Sequence, residues 1–159
     1  MRIELIMNKL KTLFFSFVYI CILNIIYDIY KYHPFQSLYF NQLIQKTKKQ
    51  EFEIDYWGLA GSKFLKEILA LENSKERINI GVASYIPLER SIKLLNDDEK
   101  KLINIVGQEY KKAKYIFNNN LSEVNKLRNK KYLIPSNFRK ISEYSINEFI
   151  VYEIYKKIN

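Results

Sequence analysis

Apolar residues crowd the start of the chain and then fall into short periodic groups. Residues 12–27, TLFFSFVYICILNIIY, carry no charge, and Leu10 extends the run if Lys11 turns its ammonium toward water. A bilayer span typically takes about 20 residues and can manage with about 17, so this stretch is short for a span but has suitable flanks. A core helix of a soluble protein normally keeps a polar stripe, and here only Thr12, Ser16 and Asn24 are polar. A cleaved signal peptide needs small residues where the apolar run ends, and residues 24–32 contain no Ala, Gly or Ser. The expectation is a transmembrane helix.

Beyond it, residues 35–44 hold apolar positions at a loose helical period after Pro34, which predicts a short helix at the membrane surface. A basic-to-acidic stretch, KTKKQEFEIDYWG, reads as a linker running into an extended segment. Residues 62–71 place Phe64, Leu65, Ile68, Leu69 and Leu71 opposite Lys63, Lys66 and Glu67, an amphipathic helix. INIGVAS reads as a buried strand, and Pro87 opens a helix with Leu88, Ile92 and Leu95 on one face. LINIV at 102–106 and KYIFN at 114–118 read as further strands. The C-terminal stretch reads as a hairpin turning near Asn147-Glu148, with Phe149 and Val151 on one face and Ile150, Tyr152 and Ile154 on the other. The predicted fold class is α/β: an N-terminal transmembrane helix, then a small α/β domain ending in a β-hairpin. The corresponding division is an anchor over 1–31, an interfacial helix and linker over 32–50, and the α/β domain over 51–159.

Charge refines the topology. Arg2, Lys9 and Lys11 precede the span, while Asp28 and the aromatic residues Tyr27, Tyr30, Tyr32 and Phe35 follow it. The positive-inside rule then puts the N-terminus in the cytoplasm and the domain outside, as in a single-pass protein of a bacterial cytoplasmic membrane. The net charge of +9 admits an acidic membrane surface, nucleic acid or no specific partner, and the heavy use of Lys, Asn and Ile fits an AT-rich genome, so the charge selects no partner by itself. Cys21, the one cysteine, excludes an internal disulfide and a thiolate metal cluster. It is also no lipoprotein cysteine, because bulky Tyr19 and Ile20 precede it.

Candidate chemistry concentrates in two words, HPFQSLYFN at 33–41 and FEIDYWG at 52–58. In this order after a hydrophobic helix they resemble the C-terminal region of bacterial multi-pass glycosyltransferases related to the protein mannosyltransferases, which use polyprenyl-phosphate sugars. There, a last membrane helix leads through an HPY-x-x-x-YFN word and a DYWG word into a small α/β domain outside the membrane. The similarity extends over most of the chain, including the helix after DYWG, the AKYIFN strand and the final hairpin, with Phe35 where that family usually has Tyr. The family's catalytic acids lie in a loop between its first membrane helices, which this sequence does not contain. The resemblance therefore implies a non-catalytic or accessory module: a truncated product, a split subunit or the result of a misplaced start codon. It also implies a partner, either a larger multi-pass glycosyltransferase or a lipid-linked sugar.

His33, Tyr39, Asn41, Asp55, Tyr56 and Trp57 are the candidate binding residues. Flat aromatic faces and a carboxylate suit a sugar or lipid headgroup, although aromatics beside a span also serve as anchors and an acid can serve as a structural hydrogen-bond acceptor. His33 is the only histidine, which excludes a multi-His metal site, and one carboxylate cannot run two-carboxylate glycosidase chemistry. Asp97-Asp98-Glu99 suits a solvated turn or helix start better than a cation site, and Gly58-Leu59-Ala60-Gly61 matches a nucleic-acid GxxG clamp in spacing alone. The expectation is no catalytic residue, no cofactor and no nucleic-acid partner, with the lipid bilayer as one partner. The alternative is a free-standing membrane-anchored module that binds anionic lipid or polymer through a basic surface. It requires Lys111, Lys112, Lys114, Lys126, Arg128 and Lys130 to share a face.

Overall fold

The structure, a computed structural model, describes residues 2–35, 55, 58–72, 76–119, 130–146 and 149–158. The chain forms two compact units, Met1–Tyr39 and Phe40–Asn159. In the first, helix α1 (Arg2–Tyr32) is continuous through the apolar run. Its Ile6–Tyr32 stretch is long and apolar enough to cross a membrane, and the apolar side chains from Ile6 to Tyr30 are mostly exposed. The helix outruns the uncharged 12–27 segment at both ends because Lys9, Lys11 and Asp28 are no obstacle to helical hydrogen bonding. Thr12 Oγ1 and Asn24 Nδ2 donate to the carbonyls of Asn8 and Ile20 one turn back, so two of its polar side chains are satisfied within the helix itself.

The second unit is a five-stranded mixed sheet with helices, ending in two long antiparallel strands. Its elements are helix α2 (Ala60–Glu72), strand β1 (Ile78–Val82), helix α3 (Glu89–Ile92), helix α4 (Asp97–Leu102) and strand β2 (Ile103–Gly107), followed by β3 (Tyr115–Asn118), β4 (Phe138–Ile146) and β5 (Phe149–Lys157). The spatial order is β2-β1-β3-β5-β4. β1 pairs in parallel with β2 and β3, while β5 runs antiparallel to β3 and β4.

Periodicity explains the packing. α2 buries Phe64, Leu65 and Ile68 and leaves Lys63 and Lys66 in solvent as its sequence predicts, but Leu71, expected on the buried side, is exposed, and Glu67, expected on the polar side, reaches the sheet and bonds Tyr152 and Ser142. The Phe64 ring meets Phe117 of β3 at 4.8 Å and Tyr152 of β5 at 5.9 Å, which seats α2 on one face of the sheet. On the opposite face, Tyr110, Ala113, Ile116 and Phe138 form a second core with Ala83, and Tyr155 packs against it. Gly81 makes room for it: a Cβ there would press on the Tyr110 ring, Ala113 and Ile116. With cover on both sides, β5 is buried at Phe149 and from Val151 to Ile154.

Two elements differ from the sequence reading. Leu88, Ile92 and Leu95 are not three points on one helix, because α3 stops at Ile92 and the chain turns before Asn96. Asn96 instead caps α4: its side chain accepts from the Glu99 amide at 2.8 Å and Glu99 returns the bond at 2.9 Å, a capping box. The acidic triplet is thus the first turn of a helix, where negative charge is favourable, with Asp97 and Asp98 paired to Lys100 and Lys101. Leu102 closes that helix rather than opening β2. The surface helix expected over 35–44 and the linker lie outside the described residues apart from Phe35, which is buried, Asp55 and Gly58.

Candidate functional site

In the sheet order, β1 and β3 are neighbours whose chains continue to opposite sides, β1 to β2 and β3 toward β4 and β5. In open α/β sheets the crevice at the carboxyl ends of such a pair is where ligands bind. Asp55, only 3% exposed, is tied to this place. One carboxylate oxygen accepts from the Ala60 amide at 3.2 Å, the first residue of α2, and the other accepts from Asn119 Nδ2 at 3.3 Å, just beyond the end of β3. Its backbone carbonyl accepts from the Gly58 amide at 3.0 Å, closing a turn in which Gly58 takes φ +67°. Burial holds the Asp55 carboxyl above its ordinary pKa, only partly offset by the bonds from Asn119, Ala60 and Leu59.

Gly58 and Gly61 both answer local geometry. A side chain at Gly58 would strain the positive φ and meet Ile86, and one at Gly61 would collide with Ser91 and Leu88 of the neighbouring α3 segment. The GxxG spacing therefore records a turn and a helix contact. Ser84, buried after β1, accepts from the Ile86 amide at 3.1 Å and completes this rim.

Three further carboxylates are held as firmly. Glu153, 8% exposed in the middle of β5, accepts from Asn118 Nδ2 at 2.6 Å, the Tyr155 hydroxyl at 3.1 Å and Lys140 Nζ at 3.3 Å. Asn118 and Asn119 are adjacent, so the end of β3 secures Glu153 with one amide and Asp55 with the next. Glu67 of α2 accepts from the Tyr152 hydroxyl at 2.5 Å and from Ser142 at 3.0 Å. Glu72 at the end of α2 accepts from Lys114 and from the Tyr115 hydroxyl, and these donors hold its pKa below the ordinary carboxylate value. Burial raises the phenols in turn, pushing Tyr110 up to about 12. Among the described residues no buried side-chain polar atom lacks a partner, and no three His, Cys, Asp or Glu converge as metal ligands do.

Of the residues singled out from sequence, Asp55 alone among those described sits at the carboxyl end of β3, beside Asn119. His33 is exposed just past α1 in the other unit, and Tyr39, Asn41, Tyr56 and Trp57 lie outside the described residues. Sequence reasoning missed Glu153, Asn118 and Asn119. A lone carboxylate inside FIVYEIY was the available signal, since a strand buried on both faces does not keep an acid without partners. The fold defines an α/β domain in a chain that, among the described residues, has one helix long and apolar enough to span a membrane. Compared with protein-family models, curated proteins and solved structures, the chain matches none.

Proposed function

We propose that this chain is a membrane-anchored, non-catalytic module that serves a lipid-linked-sugar glycosyltransferase as an accessory part, with its α/β domain on the extracytoplasmic side. The observation that carries the non-catalytic reading is the state of the four carboxylates. Asp55, Glu67, Glu72 and Glu153 each accept from at least two donors of the fold, and each links different segments of the chain. A general acid or nucleophile needs an oxygen aimed at substrate. The HPFQSLYFN and DYWG words support the glycosyltransferase connection, and DYWG begins at Asp55 and ends at Gly58, whose amide donates to the Asp55 carbonyl.

Two experiments test this reading. The purified full chain in detergent should transfer no sugar from a polyprenyl-phosphate donor beyond a no-protein control, and turnover abolished by Asp55→Asn would overturn it. A reporter active only in the periplasm, fused after Asn159, should be active, whereas activity of a strictly cytoplasmic reporter at the same position would reverse the orientation.

A further inference from the structure

Between Leu13 and Ile26 the polar side chains of α1, apart from the Tyr19 phenol, are Ser16 and Asn24, and the small ones are Ser16 and Cys21. All three fall on one side. At about 3.6 residues per turn, Ser16, Ile20 and Asn24 form a row in steps of four, with Leu13, Phe17 and Cys21 in the row beside it. The opposite side carries bulky apolar residues such as Phe15, Val18 and Ile22. Asn24 is the residue that lipid alone does not suit. It stands five residues past Tyr19, the midpoint of the Ile6–Tyr32 stretch, hence about 7–8 Å from the centre of a hydrocarbon layer whose half-thickness is about 15 Å.

The Asn24 amide holds two N–H donors and a carbonyl acceptor. One donor bonds the Ile20 carbonyl at 2.9 Å, which among the described residues is the bond it makes. The second N–H and the side-chain carbonyl therefore need partners at a depth that water does not reach.

We propose that α1 pairs in parallel with α1 of a second copy of this chain through this face, with the two Asn24 amides bonded to each other. Copies of one chain insert in the same direction, so a second α1 presents its own Asn24 at the same depth. Each amide then donates to the other's carbonyl, which supplies both missing partners at once. A side-chain amide at one interface position also fixes register and copy number, as it does in coiled coils. Rows four residues apart suit helices that cross at about −40 to −50°, and Ser16 and Cys21 let the two backbones approach near the crossing. Asp28, the next step of the row, falls toward the headgroups, where inclined helices have separated and two like charges are not forced together. The inference rests on α1 spanning a bilayer and is independent of a glycosyltransferase partner.

The test oxidises membranes containing the full chain with copper phenanthroline and reads disulfide-linked dimer on non-reducing gels. A bridge needs the two Cα atoms within about 7 Å, so its yield maps the facing side. In a Cys21→Ser background, Leu13→Cys, Phe17→Cys and Ile20→Cys should each give several-fold more dimer than Phe15→Cys, Val18→Cys and Ile22→Cys. Adding Asn24→Leu should lower the yield of Ile20→Cys several-fold, whereas Asn24→Gln, which keeps an amide, should retain most of it. Alkaline carbonate extraction of the same membranes separates the two ways to fail. Protein released into the supernatant would refute the span and the pairing together. Protein that stays in the pellet but gives equal yields on both sides, or yields that Asn24→Leu does not change, would overturn the pairing alone.

Discussion

Asp55 and Glu72 make opposite demands on pH. The folded state raises the Asp55 pKa, chiefly through burial, so its contribution to stability is most favourable in acid and declines as pH rises through the raised value. The folded state lowers the Glu72 pKa through Lys114 and Tyr115, so the stabilisation is complete above the ordinary carboxyl pKa and is lost as pH falls through the lowered one. Denaturant unfolding followed across that range should therefore separate two variants. Asp55→Asn should gain on the parent protein as pH rises from the acid range to neutrality, and Glu72→Gln should lose. Asp55→Ala, which removes both acceptor oxygens, should cost about 1–3 kcal/mol at neutral pH through the loss of the bonds from the Ala60 amide and Asn119 Nδ2. At Gly61 the constraint is space. Gly61→Val forces a side chain into Ser91 and Leu88 and should cost at least about 1–3 kcal/mol, read as a lowered denaturant midpoint.

Elements carry the next level of prediction. Phe64 joins α2 to β3 and β5 through two ring contacts, so Phe64→Ala should destabilise the domain by about 3–5 kcal/mol in chemical unfolding. Asn96→Ala removes half of a capping box and should cost about 0.5–2 kcal/mol, a smaller effect because α4 is short and exposed. These same elements show what was legible in the sequence. α2 and the final hairpin declare themselves because each repeats one period over several residues, but the strict alternation expected from Phe149 to Ile154 is interrupted where the register shifts between Tyr144 and Ser145, opposite Val151. The region after Pro87 was illegible by periodicity, because Leu88 and Leu95 are both buried, yet one caps the short helix α3 and the other lies in the turn after it. Asn96 with Glu99 three residues on was the stronger signal there. At the end of β3, Asp55 stands out through the word that contains it, whereas Asn118 and Asn119 do not. Their role depends on β3 pairing with β5 and ending beside the Asp55 turn, contacts far apart in sequence.

At the scale of the whole molecule, the second unit builds a sheet with a core on both faces, while α1 exposes nearly all its apolar surface. A helix of this length exposed to water would be an aggregation hazard, and a bilayer removes the conflict because its backbone is already fully hydrogen-bonded. A charge at the middle of such a span costs about 2.5–3.5 kcal/mol, so Ile20→Arg should reduce membrane insertion, whereas Lys66→Glu on the exposed face of α2 should not. The most direct measurement is alkaline carbonate extraction of membranes containing the full chain. Anchoring through α1 predicts that the protein stays in the pellet with integral membrane proteins, and that Ile20→Arg shifts it toward the supernatant. Recovery of the unaltered chain in the supernatant beside peripheral proteins would contradict the account.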